Sequence, residues 1–366
     1  MKSNNSDSYN NIVLLRGIAS FLVVYDHLFA QAGIIWFGKV FFPTDIIRKY
    51  ITVPAGIIQD FGWFGVVLFF LISGFLITHV SLRESQLEFI IRRIFRIYPP
   101  LIVAILIAIL ATWVQGGQLF KLSEYLISFT LFNYWIPPQK IPLGVAWTLI
   151  IEILFYLMIF LVVPILKKKP WAAILVEFTL VTVVLATCRI FGTAYFLFSA
   201  SFSYLPYLIA GQLIYLLHAR KISFNTFGLY TLINYILIYS EIRSLYPQFL
   251  TAENSYLISF LYAYVVFFIT LLLRGHIFPS RLNRFASDSS YSIYLYHGTI
   301  GFLLIDRISR ITKNGFVIIP VVVLCYLAAY LSYRFVEIPS IRFGKKLSTK
   351  IAGWKFPRTK KTISTI

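Results

Sequence analysis

Ten long apolar stretches, nearly free of formal charge, decide what this chain can fold into. Each runs for about 17–24 residues, enough to cross a hydrocarbon core of about 30 Å as a helix. They fall at 12–32, 61–80, 98–114, 143–166, 171–190, 199–218, 222–240, 255–273, 289–306 and 315–335. With 59% hydrophobic and 13% charged residues among 366, the chain carries far more apolar surface than one soluble core can bury. The runs are continuous, whereas a barrel would alternate over ~10-residue segments, so helices are expected. The fold class is therefore all-α: a polytopic integral membrane protein with about ten transmembrane helices over residues 1–340, followed by a basic tail at 341–366.

The first stretch contains Arg16, Asp26 and His27 and no small-residue cleavage site follows it, so it reads as a retained span rather than a removable signal. An even number of spans puts both termini on one side. With the N-terminus inside, cytoplasmic segments gather about 22 of the 33 Lys and Arg and the outer loops about 10, so both termini are expected in the cytoplasm. The net charge of +19 then has a membrane explanation, and the tail from Lys345 to Lys361 points to anionic lipid rather than nucleic acid. The two longest loops, 33–60 and 115–142, fall outside, and the run SEYLISFTLFNYW in the second suits a helix lying along the interface. Cys188 and Cys325 sit in or beside apolar runs and support neither a disulfide framework nor a metal site.

Function must come from polar groups that a bilayer would exclude. A charge at the membrane centre costs from ~3 to more than 10 kcal/mol, so Arg16, Asp26, Glu152 and Glu177 each need a partner, a cavity or a proton. Arg16 and His27 are eleven residues apart, about 20° beyond three full helical turns, which puts them on one face roughly 16.5 Å apart. One helix face thus carries a cation near the inner end and a titratable base near the outer end. A snorkelling arginine and a helix-bridging histidine explain the pair equally well. Asp26 points about 100° away from His27 and reads as a rim carboxylate. Glu152, about 14 Å into the fourth span, is the better partner for Arg16 or His27. Trp147, near the outer end of that span, has the place of an aromatic-belt anchor. Tyr291, Tyr294 and His297 follow i, i+3, i+6, a polar-tipped stripe that fits helix bridging and also a cavity wall.

At the inner mouth, RRIFRIYPP sets Arg92 and Arg96 on one helical face with Arg93 beside them, and Pro99 and Pro100 suit the first turn of the next span. Such guanidinium groups offer bidentate donors to phosphates, although ordinary positive-inside anchoring accounts for them as well. GxxxxGK[ST], GxGxxG and HExxH are absent, so ATP-driven transport, dinucleotide chemistry and a zinc protease lack support. Gly and Ser in GWFGVVLFFLISG (62–74) and GVAWTLIIE (144–152) fall where helices can approach closely.

LLRGIASFLVVYDH (14–27), FFLISGFLIT (69–78), RRIFRIYPP (92–100), AWTLIIEILFYL (146–157), SYSIYLYH (290–297) and FVEIP (335–339) together resemble, in this order, the signatures of the acyltransferase family 3 of integral membrane proteins. The form around Trp147 and Glu152 is most similar to the branch that modifies exported or surface polysaccharides. The resemblance implies transfer of an acetyl group from cytosolic acetyl-CoA to a hydroxyl of a lipid-linked or exported glycan, in a bacterial inner membrane. In that reading Arg92, Arg93 and Arg96 hold the CoA phosphates, Arg16 meets the donor further in, and His27 is the general base near the acceptor. Glu152 orients His27 or neutralises Arg16, and Trp147 or Ser73 donates to the oxyanion, with Tyr291, Tyr294 and His297 grouped around the substrates. No metal is implied. The chain ends soon after the tenth span, so the hydrolase-like SGNH domain that some members append is expected to be lacking. A glycan transporter or flippase is the competing class, disfavoured because no inverted repeat is visible.

Overall fold

A computed structural model describes residues 10–245 and 253–355, and the described residues form helices and turns without a strand. Among the described residues seven helices are long and apolar enough to cross a membrane: Asn10–Phe37, Gln59–Ser81, Gln86–Val114, Gly144–Lys168, Thr193–His218, Ser255–Leu272 and Gly315–Ile351. The expected count of about ten is not reached on that criterion. At 171–190 the helix Pro170–Ala186 has 17 residues. At 222–240 stands Phe224–Leu245, diluted by Asn225, Asn234 and Glu241. At 289–306 the apolar run carries Ser289, Ser290, Ser292 and His297 and is interrupted by a π turn at His297–Gly301.

The centre of the bundle is the Gly62–Ser81 helix, which packs on Asn10–Val24 along one side and on Leu205–His218 along another. Gly74 and Gly211 make the second contact possible. A Cβ at Gly74 would lie 1.8 Å from the Leu208 carbonyl oxygen, and one at Gly211 would lie 2.0 Å from that of Leu71. The close approach expected of this glycine segment is thus between backbones, the packing mode that drives helix association in lipid. Gly74→Val is expected to cost about 3 kcal/mol, the upper end for overpacking, and to lower the thermal unfolding temperature in detergent, because backbone rather than a mobile side chain blocks the new methyl groups.

Gln86–Val114 is one continuous helix with Pro99 and Pro100 in its interior, which corrects the expectation that they open a new span. Proline at 99 cannot donate to the Phe95 carbonyl. Ser340 donates to that carbonyl instead, from the helix Ile338–Lys355, and the Tyr291 hydroxyl donates to the Ile97 carbonyl at 2.8 Å. The Phe95 carbonyl that Pro99 releases is therefore bonded by a neighbouring helix, as bilayer interiors demand. The first part of the expected basic tail is this Ile338–Lys355 helix, packed along Gln86–Val114; residues 356–366 lie outside the described residues.

The run 123–135 forms the helix Leu122–Thr130 and a tight turn at Phe132–Tyr134. Bonds from the Tyr134 hydroxyl to the Leu143 carbonyl (2.7 Å) and from Trp135 Nε1 to Ser201 (3.0 Å) tie this loop over the start of the Trp147–Lys168 helix. Loop 33–60 is folded too. Gln59, Asp60 and Phe61 all have φ between 44° and 75°, a left-handed conformation that these side chains disfavour. An ion pair from Arg48 to Asp60, backed by Thr52 at 3.3 Å, holds that turn.

Candidate active site

Among the described residues two cavities hold the polar side chains of interest, named inner and outer after the orientation expected from the sequence, and a narrow neck bounded by His297 adjoins the inner one. The inner one, about 240 Å³, gathers polar side chains from five helices: Arg16, Ser73, Arg93, Arg96, Glu152 and Tyr291, together with Thr148, Tyr156, Ser290 and Tyr294. Seven residues singled out from the sequence therefore share one wall. The outer one, about 540 Å³, is lined by His27, Gln31, Thr112, Gln115, Trp147, Thr299 and Asp306 among others. The neck, formed by Ser20, Val23, Val24, Phe69, Ile293, Tyr294 and His297, is too tight for water and shares Val23, Phe69 and Tyr294 with the inner cavity.

The inner cavity is a cationic chamber. Arg16, Arg93 and Arg96 make no ion pair among the described residues, and Arg93 Nε is buried without a partner. Arg93 is held by the faces of Phe89 and Tyr156, at 5.7 and 5.9 Å. Glu152 accepts from the Tyr156 hydroxyl one turn on, and Glu337 accepts from Ser292 at 2.8 Å. Both carboxylates therefore have neutral partners. Three guanidinium groups in a chamber walled by Val66, Phe70, Ile72 and Leu76 have few water dipoles to screen them, so an anion entering it gains more than it would in solution.

Arg92 does not line this chamber. It is paired with Glu84, lies 3.5 Å from Glu88 one turn back, and bonds Ser348 of the last helix at 3.0 Å. Two carboxylates and a hydroxyl satisfy its fork, so its place is to anchor the Ile338–Lys355 helix rather than to receive phosphate. Glu152 likewise has no bond to His27; it faces the chamber of Arg16. Ser73 and Trp147, expected to serve one oxyanion, open on different cavities. Trp147 packs against Tyr204 (5.3 Å) and Phe70 (6.4 Å) at the floor of the outer one. Tyr291 and Tyr294 do both things foreseen for them: they line the chamber while bonding the Ile97 carbonyl and Thr148, the latter at 2.6 Å.

His27 and His297 each stand in a π turn, Tyr25–Gln31 and His297–Gly301, where the wider spacing re-aims side chains out of an α-helical stripe. The two rings meet, with His27 Nδ1 3.0 Å from His297 Nε2. Gly298 lets Val145 into the space beside them, since a Cβ there would lie 2.3 Å from Val145 Cγ1. His297 is fully buried and lines the neck rather than either cavity, so direct contact with a bound substrate, as grouped from the sequence, does not fit. Asp26 is buried as well, accepting from Gln31 at 2.6 Å, and so it orients Gln31 rather than marking the rim. Glu177 accepts from Gln212 at 3.0 Å, away from both cavities.

Several contributors were not foreseen, among them Glu337, Tyr156, Gln31 and Asp306. Glu337 stands in the quoted FVEIP but beyond the drawn end of the last span. Tyr156 is one turn after Glu152. Gln31 and Asp306 flank His27 and the ninth stretch, where Asp306 accepts from Trp36 Nε1 at 3.0 Å and from Arg310 at 2.7 Å. A polar residue one helical turn from a polar residue already chosen is the signal that would have found Tyr156 and Gln31.

The profile of a family described as an acyltransferase domain, acyltransferase family 3, matches residues 9–334, which includes every residue of both cavities. The chain belongs to this family. It is 30% identical over 193 residues to nodulation protein 10 of Rhizobium leguminosarum biovar viciae, covering 47% of this chain and 49% of that one. It is 26% identical over 335 residues to a Staphylococcus aureus (strain COL) protein whose name proposes an O-acetyltransferase, covering 78% and 54%. The chain thus spans about half the length of the curated relatives it matches. No solved structure matches it.

Proposed function

We propose that this chain moves an acetyl group from cytosolic acetyl-CoA to a hydroxyl of a polysaccharide or lipid-linked glycan on the far side of the membrane. The observation that carries the reading is the pairing of a chamber of three guanidinium groups without ion pairs with a second cavity holding a histidine base. Arg16, Arg93 and Arg96 suit a donor with phosphates, and the buried unpartnered Nε of Arg93 is the kind of atom a phosphate oxygen would satisfy. Both termini in the cytoplasm, in a bacterial inner membrane, would place the arginine chamber toward the donor.

In this scheme the acceptor hydroxyl lies in the outer cavity and gives its proton to the free nitrogen of His27. Its oxygen attacks the thioester carbonyl, a C–O bond forms, the C–S bond breaks, and the thiolate leaves with the proton later returned to it. The products are an O-acetyl ester and free CoA–SH. General-base help of this kind is worth typically 10²–10⁴-fold. The glycan polar groups would meet Gln31, Thr112, Gln115, Thr299 and Asp306, with Trp147 and Phe302 as apolar walls.

The experiment is thioester consumption by the purified protein in lipid vesicles, with acetyl-CoA and a cell-envelope glycan fraction. Stoichiometric release of CoA–SH with an ester that mild alkali cleaves is the expected result. Glycan movement with acetyl-CoA left intact would establish the transporter instead.

A further inference from the structure

We infer that His297 is the positioning residue that sets the tautomer of His27, so that His27 Nε2 is the nitrogen that takes the acceptor proton. This rests on the functional reading only in naming the proton's source; the tautomer follows from geometry. His297 Nδ1 lies 3.0 Å from the Ile293 carbonyl oxygen, one turn back on its own helix. A carbonyl only accepts, so Nδ1 carries the hydrogen. In a neutral imidazole Nε2 is then a bare lone pair, and it faces His27 Nδ1 at 3.0 Å. Two N–H groups cannot meet at that distance, nor can two lone pairs bond, so His27 Nδ1 donates; the His27 ring also has the backbone carbonyl of Val23, one turn back on its own helix, as a hydrogen-bond partner. The free lone pair of His27 is left on Nε2, and it is His27, not His297, that lines the outer cavity.

The chain of bonds from the Ile293 carbonyl through His297 to His27 has the logic of a nucleophile-activating triad, in which a third group holds the base in the right tautomer. A neutral imidazole stands where a carboxylate would otherwise be. That choice suits a buried position in a membrane protein, where a further charge would carry a large desolvation cost. It also assigns the two π turns a purpose, because they bring residues 27 and 297 ring to ring, with centroids 5.0 Å apart, from two different helices.

Ring-labelled histidine NMR of the protein in lipid nanodiscs reads the tautomer without any acceptor. Five histidines are present, and the His27 signals are those lost in His27→Gln. The expected wild-type result is His27 neutral with hydrogen on Nδ1, the form that free histidine disfavours. His297→Gln keeps an oxygen that can accept from His27 Nδ1 and should retain both this tautomer and acyl transfer within about tenfold. His297→Leu keeps bulk but not the acceptor; it should release the tautomer and lower kcat roughly 10²-fold or more, with KM for acetyl-CoA unchanged. His27 found with hydrogen on Nε2 in the wild type, the Nδ1–H form retained in His297→Leu, which would assign the tautomer to the Val23 carbonyl, or full activity in His297→Leu, overturns the inference. A wild type with the Nδ1–H form that transfers no acetyl group would instead refute the functional reading and leave the tautomer assignment standing.

Discussion

Replacing Arg96 by alanine is expected to weaken acetyl-CoA binding about 30-fold while changing the stability of the protein little. Hydrogen bonds to a charged group contribute about 1.5–3 kcal/mol, and 1.4 kcal/mol is tenfold in affinity, so the loss of one guanidinium falls near that figure. The stability half of the expectation is a small change. Arg96 shares its chamber with Arg16 and Arg93, none of them in an ion pair, so the variant loses repulsion from Arg16, but it also loses the attraction of Glu337 and Glu152, and the two offset. Arg92→Ala should show the reverse pattern. It strips the partner from Glu84 and Glu88 and the bond to Ser348, lowering the unfolding temperature, while donor affinity stays within about twofold. Calorimetric titration with acetyl-CoA and thermal unfolding of the same samples, in one lipid and at one salt concentration, check the pair. Loss of affinity in Arg92→Ala but not in Arg96→Ala would mean that phosphate is bound at the last helix and not in the chamber.

That contrast also shows what a sequence can and cannot say about a membrane site. The bilayer excludes polar groups so strongly that Arg16, Glu152, Ser73, Tyr291 and Tyr294 stand out against their apolar surroundings, and all five line one chamber. The arginines at 92, 93 and 96 looked equivalent, yet the i, i+4 relation of Glu88 to Arg92 was legible and predicts the pair that takes Arg92 out of the chamber. Division into two cavities was not legible, because counting 100° per residue from Arg16 to His27 holds only as far as Val24. Beyond it the chain winds as a π turn, and a stripe drawn on an α-helix no longer tells where His27 aims. His297 was named from the sequence, but the i, i+3, i+6 stripe grouped it with Tyr291 and Tyr294, whereas it begins its own π turn and lines the neck. The number of spans suffered from a related cause. Polar residues that serve the site, such as Ser290, Ser292 and His297, dilute the ninth stretch below what length and apolarity alone would accept.

The largest effect is expected at His27. His27→Ala should abolish acylation, by at least ~10²-fold in rate, without abolishing assembly. The side chain already faces a cavity of about 540 Å³, so its removal enlarges a polar space that water can fill rather than opening a dry void in packed core. Its one side-chain partner, His297, keeps its bond to the Ile293 carbonyl and can accept from a water in the vacated place. Stability should therefore fall by no more than about 2 kcal/mol, the range of a polar group re-satisfied by solvent. Donor binding should be unchanged, because Arg16, Arg93 and Arg96 line the other cavity. The measurement is mass spectrometry of cell-envelope glycans from cells lacking the protein, complemented with wild type or variant at matched membrane levels. Wild type should restore an alkali-labile acetyl ester and His27→Ala should not, while both proteins bind acetyl-CoA alike. Full esterification by the variant would remove His27 from the chemistry and leave the outer cavity as a path for substrate alone. An equal loss of donor binding would mean that the two cavities act as one.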